Sequence, residues 1–494
     1  MENQEQISRS KLDSYFGITE KGSTVRTEII AGIVTFLAMA YILTLNPSLI
    51  TGDWARQGAL WPSVFIATAL GAIVGTLLMA FLAKMPLAQA PGLGLNSMVG
   101  GLIGGTMGLA VCSFGNAMLL VLISGVLFLL LSVVKIGKVS IREKIFDGIP
   151  VCVRGAISIG IGLFIAFIGL VNAGIIVAGN GTLVGLVSLS SWDMAKMGGA
   201  LGCLYGLIVI AILDHFNVKG AVIIGIIAAT LLGIPLKVTS WSGYSWKFWE
   251  YFKNFFSMKP EEGGTFLSAF TEGFKWADGT SVMTCVMMVI TFCMIDMFDT
   301  MGTVVGCCVP VGLADEEGKP LHYNGIMMAD SIATCTGALF GTSTVTTFVE
   351  SGSGIAAGGR TGLTALTTAV MFLLSIFLLP LFASIPTAAA ASALVYVGSL
   401  MLKGITNLKL DGVKNSVPAF LTIAMMPLAY SITTGIGFGI ISYVLIDLVE
   451  FVVGSIKYAC SKAENKEKPV WDLSPITIIV FVLFLVYFFV PTTF

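Results

Sequence analysis

Charged residues are scarce in this chain. They make up 11% of its 494 residues, whereas hydrophobic residues make up 56%. Soluble proteins typically carry about 25% charged residues, so this composition excludes a soluble globular domain. The formal net charge is −1 at pH 7, and no overall field would attract nucleic acid or another polyanion. We therefore expect no nucleic-acid partner.

The residues on which metal centres and many enzymes depend are sparse as well. The chain has two histidines and nine cysteines, and no two cysteines have the C-x-x-C spacing. It contains no recognisable nucleophile–base pair, metal-ligand cluster or nucleotide-binding loop, which argues against a membrane-embedded enzyme. We expect no metal and no cofactor. The polar N-terminus has no signal-peptide apolar region, so the first span is expected to direct insertion.

Apolar runs of about twenty residues recur along the whole chain, as is typical of membrane-spanning helices. Counting them predicts an all-α polytopic protein with about fourteen transmembrane spans in the lipid bilayer of the plasma membrane. Basic residues fall on one side under this count, namely Lys11, Arg26, Lys84, Lys138, Arg142, Lys144, Lys219, Arg360, Lys403, Lys457, Lys462, Lys466 and Lys468. By the positive-inside rule that side is cytoplasmic, and the N-terminus lies there.

The order of the spans predicts two halves. We expect a cytoplasmic segment at 1–26, seven spans within 27–236, an external connection at 237–280, and seven more spans within 281–455. A basic segment and a last apolar segment occupy 456–494, and the count does not decide whether that apolar segment crosses the membrane. Because seven is odd, the second half begins on the opposite side and is inverted relative to the first.

Each half carries a polar interruption at a corresponding place. In the first half, PLAQAPGLGLNSMVGGLIGG (86–105) predicts extended chain that leads into a half-helix near Asn96. In the second, GTSTVTTFVESGSGIAAGGRTGLT (341–364) contains β-branched residues that favour a short strand before Glu350. We expect short strands and broken helices in spans 3 and 10, and paired interruptions of this kind indicate a transporter site. Asn46-Pro47 is expected to break the first span.

Glu350 is a carboxylate at the predicted depth of the membrane. An acid there is costly, so it is a candidate functional residue by default. When ionised it can accept hydrogen bonds from two N–H groups of a planar ring, and when protonated it can donate one. This predicts a group that binds ligand and carries a proton. The alternative is a cytoplasmic loop in which Glu350 is solvated.

Asp296 and Asp299 lie three residues apart in the eighth span, with Thr300 beside them. Residues at this spacing lie close to one face of a helix. We expect at least one aspartate to bind substrate or carry a proton, and Asp296 is the first choice because it lies deeper in the span. The alternative is a hydrogen-bonded pair between helices, or a position near the inner interface. Asn96 can contact a ligand, cap a helix, or do both.

Four stretches resemble the AzgA-like branch of the nucleobase:cation symporter-2 family, whose members are adenine, guanine and hypoxanthine permeases. They are QAPGLGLNS, ITFCMIDMFDTMGT, the stretch from MADSIATC to GGRTGLTAL, and PAFLTIAMMPLAYSITTGIGFGIISY. The likeness runs in order from about Tyr15 to Val453. It implies fourteen spans as two inverted seven-helix repeats, divided into a core and a gate domain.

The resemblance also implies proton-coupled uptake of purine nucleobases by alternating access, at a site between spans one, three, eight and ten. Carried over residue by residue, it assigns the substrate site to Asn96, Asp296 and Glu350. We add Thr300, Tyr41 and Thr347 to the predicted site, and expect Glu350, Asp296 and Asp299 to carry protons. Na⁺ coupling and a homodimer stay open, and so do a uracil, xanthine or anion carrier on this fold and a passive channel.

Overall fold

The computed structural model describes most of the chain. The described residues are 11–53, 58–104, 112–136, 139–179, 184–188, 194–239, 244–276, 282–308, 311–314, 320–408, 410–460 and 473–489. Lys138 and the predicted basic cluster at Lys462, Lys466 and Lys468 lie outside them.

Helices dominate the described chain. The helices up to the long connection are α1 (Lys11–Phe16), α2 (Val25–Met39), α3 (Ile42–Thr51), α4 (Leu60–Leu78), α5 (Leu93–Leu102), α6 (Phe114–Val133), α7 (Ile141–Gly148), α8 (Val151–Asn172), α9 (Met194–His215) and α10 (Ala221–Gly233). The connection holds two short helices, α11 (Phe248–Phe255) and α12 (Ser268–Thr271). The later helices are α13 (Val282–Cys308), α14 (Tyr323–Phe340), α15 (Ser351–Ala356), α16 (Gly362–Ser375), α17 (Leu379–Ala383), α18 (Thr387–Met401), α19 (Val413–Leu428), α20 (Ile432–Cys460) and α21 (Pro475–Phe489).

The strands are short. They are β1 (Gln89–Pro91), β2 (Lys135–Ile136), β3 (Val139–Ser140), β4 (Ile176–Val177), β5 (Gly185–Leu186) and β6 (Val345–Thr347). β2 pairs with β3, and β4 with β5, as small hairpins that the sequence did not predict. One π-helical turn at Met79–Ala83 extends α4.

Within the described residues, nine helices are long and apolar enough to cross a membrane. The chain is therefore a polytopic membrane protein, as predicted. The other predicted spans contain shorter or more polar helices: α5, α10, α14, α15 and α19. Two of these, α5 and α15, are the predicted half-helices, and each directly follows a strand. α21 occupies the predicted C-terminal apolar segment and packs against α20, α13 and α7.

The break in the first span lies earlier than predicted. α2 ends at Met39 and α3 begins at Ile42, whereas Pro47 lies inside α3. Ile42 to Ile50 are all buried, so packing maintains the helix through the proline. Asn46 also stays helical, because its side-chain amide donates to Thr68 Oγ1 at 2.6 Å and to Thr342 Oγ1 at 2.7 Å. Tyr41 lies at the actual break.

The two predicted interruptions meet at one place. β1 pairs antiparallel with β6, with Gln89 opposite Thr347 and Pro91 opposite Val345. Both strands are fully buried. Irregular backbone at membrane depth is tolerated only where protein buries it or it lines a cavity, and the pairing satisfies its polar groups. An antiparallel crossing of two equivalent segments is also what a two-fold relation between inverted halves requires.

The helices pack into two bundles. The first bundle contains α2–α6 and α13–α16, with contacts such as α6 to α14, α2 to α16 and α4 to α14. The second bundle contains α8–α10 and α18–α20, with α8 against α18 and α19. The bundles touch where α5 and α13 meet α8 and where α2 meets α10. The strand crossing belongs to the first bundle, which corresponds to the predicted core domain.

Candidate functional site

Tyr41 and Glu350 form the centre of the candidate site. The Tyr41 hydroxyl donates a hydrogen bond of 2.5 Å to Glu350 Oε1. Tyr41 lies at the break of the first span, and Glu350 directly precedes the half-helix α15. Both breaks leave the side chains beside the strand crossing, where Phe348 N–H donates to Ala88 O at 3.0 Å.

Asp299 completes a polar triad with these two residues. Its carboxylate interacts electrostatically with both Glu350 and Tyr41. Thr346 Oγ1 on β6 donates to Asp299 Oδ2 at 3.3 Å. Asp299 and Glu350 are both partly exposed, whereas most of their neighbours are buried. The triad therefore presents two carboxylates and one phenol to whatever occupies the adjacent space.

The exposed surface beside the triad faces the second bundle, and we call it the opening. On α13, Gly302, Val305 and Gly306 are exposed beyond Asp299, and Val349 next to Glu350 is 48% exposed. A β-carbon added at Gly302 would lie 3.9 Å from Ser158 Oγ on α8, so this face of α13 is directed at the second bundle. By contrast, every residue of the half-helix α5 is buried. The opening thus reaches the triad from the side of the C-terminal end of α13.

Asp330 lies at the centre of a second, fully buried network. Its Oδ1 accepts from Thr300 Oγ1 at 2.7 Å and from Gln89 Nε2 at 2.9 Å. Thr300 Oγ1 in turn accepts from the Thr347 backbone N–H at 3.3 Å, and Gln89 Nε2 also donates to Thr347 Oγ1 at 3.3 Å. The predicted site residues Thr300 and Thr347 therefore belong to this network, which supports the strand crossing from behind.

Asp296 does not lie beside Glu350. It is 1% exposed and its Oδ2 accepts from Thr334 Oγ1 on α14 at 3.0 Å. Asp296 and Asp299 are separated by about 60° around α13, since successive helical residues turn by about 100°. One aspartate therefore faces α14 while the other faces the opening. Asp299, rather than Asp296, is thus the aspartate that lies toward Glu350.

Asn96 lies in α5, on the other side of the strand crossing. It does not cap this helix, because Gly92 is the capping residue. Its Nδ2 donates to Pro91 O at 3.2 Å, and its Oδ1 accepts from Ser343 Oγ. Asn96 is 0% exposed. In this arrangement its amide is directed at protein groups of both interruptions.

Glu28 and Arg360 fix the end of the second interruption. Glu28 is buried and accepts from the backbone N–H groups of Arg360 (2.9 Å) and Thr361 (3.2 Å) and from Thr364 Oγ1 (2.6 Å). These groups lie just before α16 or in its first turn, so a carboxylate on the neighbouring helix α2 caps the start of this helix. Arg360 Nη1 donates to Ile355 O at 2.7 Å, which closes the end of α15. Arg360, which the sequence analysis counted among the cytoplasmic basic residues, thus also has a structural role.

Sequence reasoning missed three residues of this region. Gln89 lies in the stretch that was predicted to be extended chain, and Glu28 lies at the start of the first predicted span. Arg142 was counted only as a cytoplasmic basic residue. A polar residue inside or beside an apolar stretch was the available signal for Gln89 and Glu28. Nothing in the sequence indicated that Arg142 is 0% exposed. Among the described residues, no group of three His, Cys, Asp or Glu side chains could hold a metal ion.

Known proteins resemble this chain over most of its length. Adenine permease AdeP of Escherichia coli is 36% identical over 474 residues, which cover 96% of this chain and 95% of the relative. Guanine/hypoxanthine permease PbuO of Bacillus subtilis is 38% identical over 438 residues, which cover 87% of this chain and 93% of the relative. Nucleobase transporter PlAzg2 of Paenibacillus larvae is 29% identical over 426 residues, covering 85% and 77%.

Solved structures share the fold at low sequence identity. The transmembrane domain of the cyanobacterial bicarbonate transporter BicA matches with a TM-score of 0.57 at 15% identity, covering 84% of this chain and 97% of that one. SLC26A9 matches with a TM-score of 0.56 at 12% identity, covering 90% and 70%. These likenesses show that the two-bundle fold is that of known membrane transporters.

The family assignment follows from the sequence comparison. The profile named Xan_ur_permease, described as a permease family, matches residues 26–438. The match includes both interruptions, the Tyr41–Glu350–Asp299 triad and the Asp330 network. The chain therefore belongs to this permease family of nucleobase:cation symporters, in its AzgA-like branch, and is a transporter rather than an enzyme.

Proposed function

We propose that this protein is a proton-coupled importer of purine nucleobases of the adenine, guanine and hypoxanthine class, working by alternating access in the plasma membrane. The observation that carries the proposal is the triad of Tyr41, Asp299 and Glu350 at an opening between the two bundles. The relatives named as adenine and guanine/hypoxanthine permeases support the substrate class. The N-terminus is proposed to be cytoplasmic by the positive-inside rule.

The donors and acceptors of the triad suit a purine. A purine ring presents N–H donors and ring-nitrogen acceptors in one plane. A carboxylate accepts from two such donors, and a protonated carboxyl or a phenol donates to a ring nitrogen. We assign base recognition to Glu350 and Asp299, with Tyr41 orienting Glu350. We assign to Asn96, Thr300 and Thr347 the role of holding the two interruptions in position against each other. Asp296 contributes a buried carboxylate behind the site.

Proton coupling has a chemical basis in the same groups. Two carboxylates close together are difficult to ionise at the same time, and binding of a proton to one relieves the repulsion. We propose that the coupled proton passes between Glu350 and Asp299 when the opening switches from one face of the membrane to the other. One proton that moves down 100 mV is worth roughly 2.3 kcal/mol, enough for about fifty-fold accumulation at roughly 1.36 kcal/mol per decade. An anion carrier fits poorly, because two carboxylates at the opening would repel its substrate.

Uptake into proteoliposomes tests this proposal. We would measure labelled hypoxanthine, adenine, guanine and uracil, with and without an inward proton gradient. Accumulation of a purine but not of uracil, only with the gradient, is expected. Equilibration without accumulation would instead make the protein a passive channel, and uptake of uracil alone would overturn the substrate class.

The variant Glu350→Gln provides a second arm. It keeps the size and an acceptor oxygen but removes the charge, so gradient-driven uptake should fall to the level of empty liposomes while the protein stays folded. Glu250→Gln is the matched control, because Glu250 is exposed on α11 and forms an ion pair with Lys247 at the surface. Wild-type uptake by Glu350→Gln would contradict the assignment of Glu350.

A further inference from the structure

A guanidinium lies buried beside two carboxylates, behind the triad. Arg142 and Asp330 are 0% exposed and Asp296 is 1% exposed. Arg142 Nη2 lies 3.7 Å from Asp330 Oδ2. The guanidinium carbon lies 3.8 Å from the centre of the Phe128 ring, and Nη1 donates to Ser132 Oγ at 3.5 Å. Burying an arginine to this degree is costly unless its charge is compensated, so Arg142 is a candidate functional residue.

The cluster is unbalanced in charge and only partly hydrogen-bonded. It contains two carboxylates and one guanidinium. Asp296 Oδ1 and Asp330 Oδ2 accept no hydrogen bond, and Arg142 Nε and Nη2 donate none. The contact between the guanidinium and Asp330 is therefore one of charge attraction rather than of a directional hydrogen bond. Removal of one partner would leave the other buried and uncompensated, which is far more costly than replacing both.

Asp330 connects this cluster to the strand crossing. Its other oxygen holds Thr300, one residue after Asp299, and Gln89 on β1. Thr300 accepts from the backbone of Thr347 on β6. A shift of Asp330 would thus move the support of both interruptions, and with it the relative positions of Asp299 and Glu350.

Arg142 itself lies on the element that joins the two bundles. It is in α7, between α6 of the first bundle and α8 of the second. The far end of α7 is tied to α21, because Gly148 O accepts from Ser474 Oγ at 2.8 Å and from Thr477 Oγ1 at 2.5 Å. The ion pair with Asp330 therefore fastens the start of this linker to the first bundle.

We propose that Arg142 is a positioning residue for transport: from the linker helix α7 it balances the charge of Asp330 and Asp296, and thereby holds Thr300 and Gln89 against the strand crossing behind the triad. The same contact keeps the linker between the bundles anchored to the first bundle. This inference rests on the proposed function where it concerns purine binding, and on the charge arrangement alone where it concerns the fold.

The test is a charge-balance cycle on the purified full-length protein. We would compare wild type, Arg142→Gln, Arg142→Lys and the double variant R142Q/D330N, with Lys144→Gln as control, since Lys144 is exposed on the same helix. Equilibrium binding of radiolabelled adenine, guanine and hypoxanthine is normalised to folded protein, and the thermal unfolding midpoint is measured in parallel. Asn at position 330 retains an acceptor for Thr300 and Gln89, and the double variant restores the net charge of the wild-type cluster.

We expect Arg142→Gln to weaken purine binding at least tenfold on the folded fraction and to lower the unfolding midpoint. The double variant should recover affinity to within about threefold of wild type. Arg142→Lys should lie between the two, because it keeps the charge but not the planar contact with Phe128. Lys144→Gln should match wild type. A purely structural arginine would lower the midpoint and leave the affinity of the folded fraction unchanged.

Two results would overturn the inference: wild-type affinity in folded Arg142→Gln, or a double variant that is folded and binds as weakly as the single one. If Arg142→Gln does not fold, the double variant and Arg142→Lys decide by the same criteria. If the wild-type protein binds none of the purines, the proposed function fails by itself. The unfolding midpoints then decide: recovery in the double variant supports the charge balance, and no recovery refutes it.

Discussion

The hydroxyl of Tyr41 lies 2.5 Å from Oε1 of Glu350, and this hydrogen bond joins residues that are 309 positions apart. One residue marks the break between α2 and α3, and the other the start of α15. The bond therefore spans the interruptions of two different spans. A change in the tilt of α15 relative to the first span would alter it directly, which makes it a sensitive point of the site.

Removal of this hydroxyl should weaken substrate binding. Hydrogen bonds to charged groups are typically worth roughly 1.5–3 kcal/mol, and a ligand or water can replace part of the lost interaction. We expect Tyr41→Phe to weaken purine binding roughly tenfold, with little change in the unfolding midpoint because the ring stays packed. Equilibrium binding to purified protein measures it.

Tyr205→Phe is the matched control, since Tyr205 is 42% exposed on α9 in the second bundle. It should bind purines as the wild type does. Equal affinities in Tyr41→Phe and the control would show that the Tyr41–Glu350 bond does not orient the carboxylate for ligand.

Composition and local pattern predict much of this site. Gly and Pro in 86–105, and β-branched residues before Glu350, are enough to predict strands that lead into half-helices, because these residue types act through the local backbone. The structure agrees at β1, β6, α5 and α15. The place of Glu350 at this crossing follows from the same pattern.

The choice between Asp296 and Asp299 could not be made from the sequence. At a spacing of three residues both lie near one face, and only the rotation of α13 against α14 and α8 decides which one faces the opening.

The break at Tyr41 is another feature that the sequence could not predict. Pro47 is a strong local signal, but burial of all of its neighbours in α3 maintains the helix there. Arg142 likewise depends on a tertiary partner that no local pattern reveals, namely Asp330 on α14 in the other half of the chain.

The two aspartates should therefore respond differently to neutralisation. Asp299→Asn changes a partly exposed group of the triad, and we expect at least a tenfold loss of purine affinity with a nearly unchanged unfolding midpoint. Asp296→Asn changes a buried group whose Oδ1 has no hydrogen-bond partner, so affinity should fall by less than about threefold. Binding assays and unfolding midpoints on both variants measure the difference.

The reverse order of the two effects, with affinity lost mainly in Asp296→Asn, would return the binding role to Asp296. Each variant serves as the control of the other, because the two side chains are the same and lie on one helix.

Glu28 should contribute to stability rather than to recognition. Its carboxylate accepts from two backbone N–H groups and one hydroxyl at the start of α16. Glu28→Gln would replace one acceptor oxygen by a donor and leave at least one of these groups unpaired, at a cost of roughly 1–3 kcal/mol. We expect a lower thermal unfolding midpoint and wild-type purine affinity in the folded fraction. Glu250→Gln, at an exposed pair worth roughly 0–1 kcal/mol, should leave both unchanged. An unchanged midpoint in Glu28→Gln would refute the capping role.

Gly354 tests how closely the half-helix α15 must approach the first span. A β-carbon added there would lie 2.7 Å from Ala31 O and nearer still to Thr35 Oγ1, both on α2. Overpacking of this kind typically costs 1–3 kcal/mol or shifts the backbone, and here the shift would move Glu350 away from Tyr41. We expect Gly354→Ala to lower the unfolding midpoint and to weaken purine binding together. Gly202→Ala is the control, because the nearest atom to a β-carbon at this position of α9 in the second bundle is Ala388 Cβ at 3.8 Å, an ordinary contact. Wild-type behaviour of both variants would mean that α15 is not held against α2 as tightly as this packing requires.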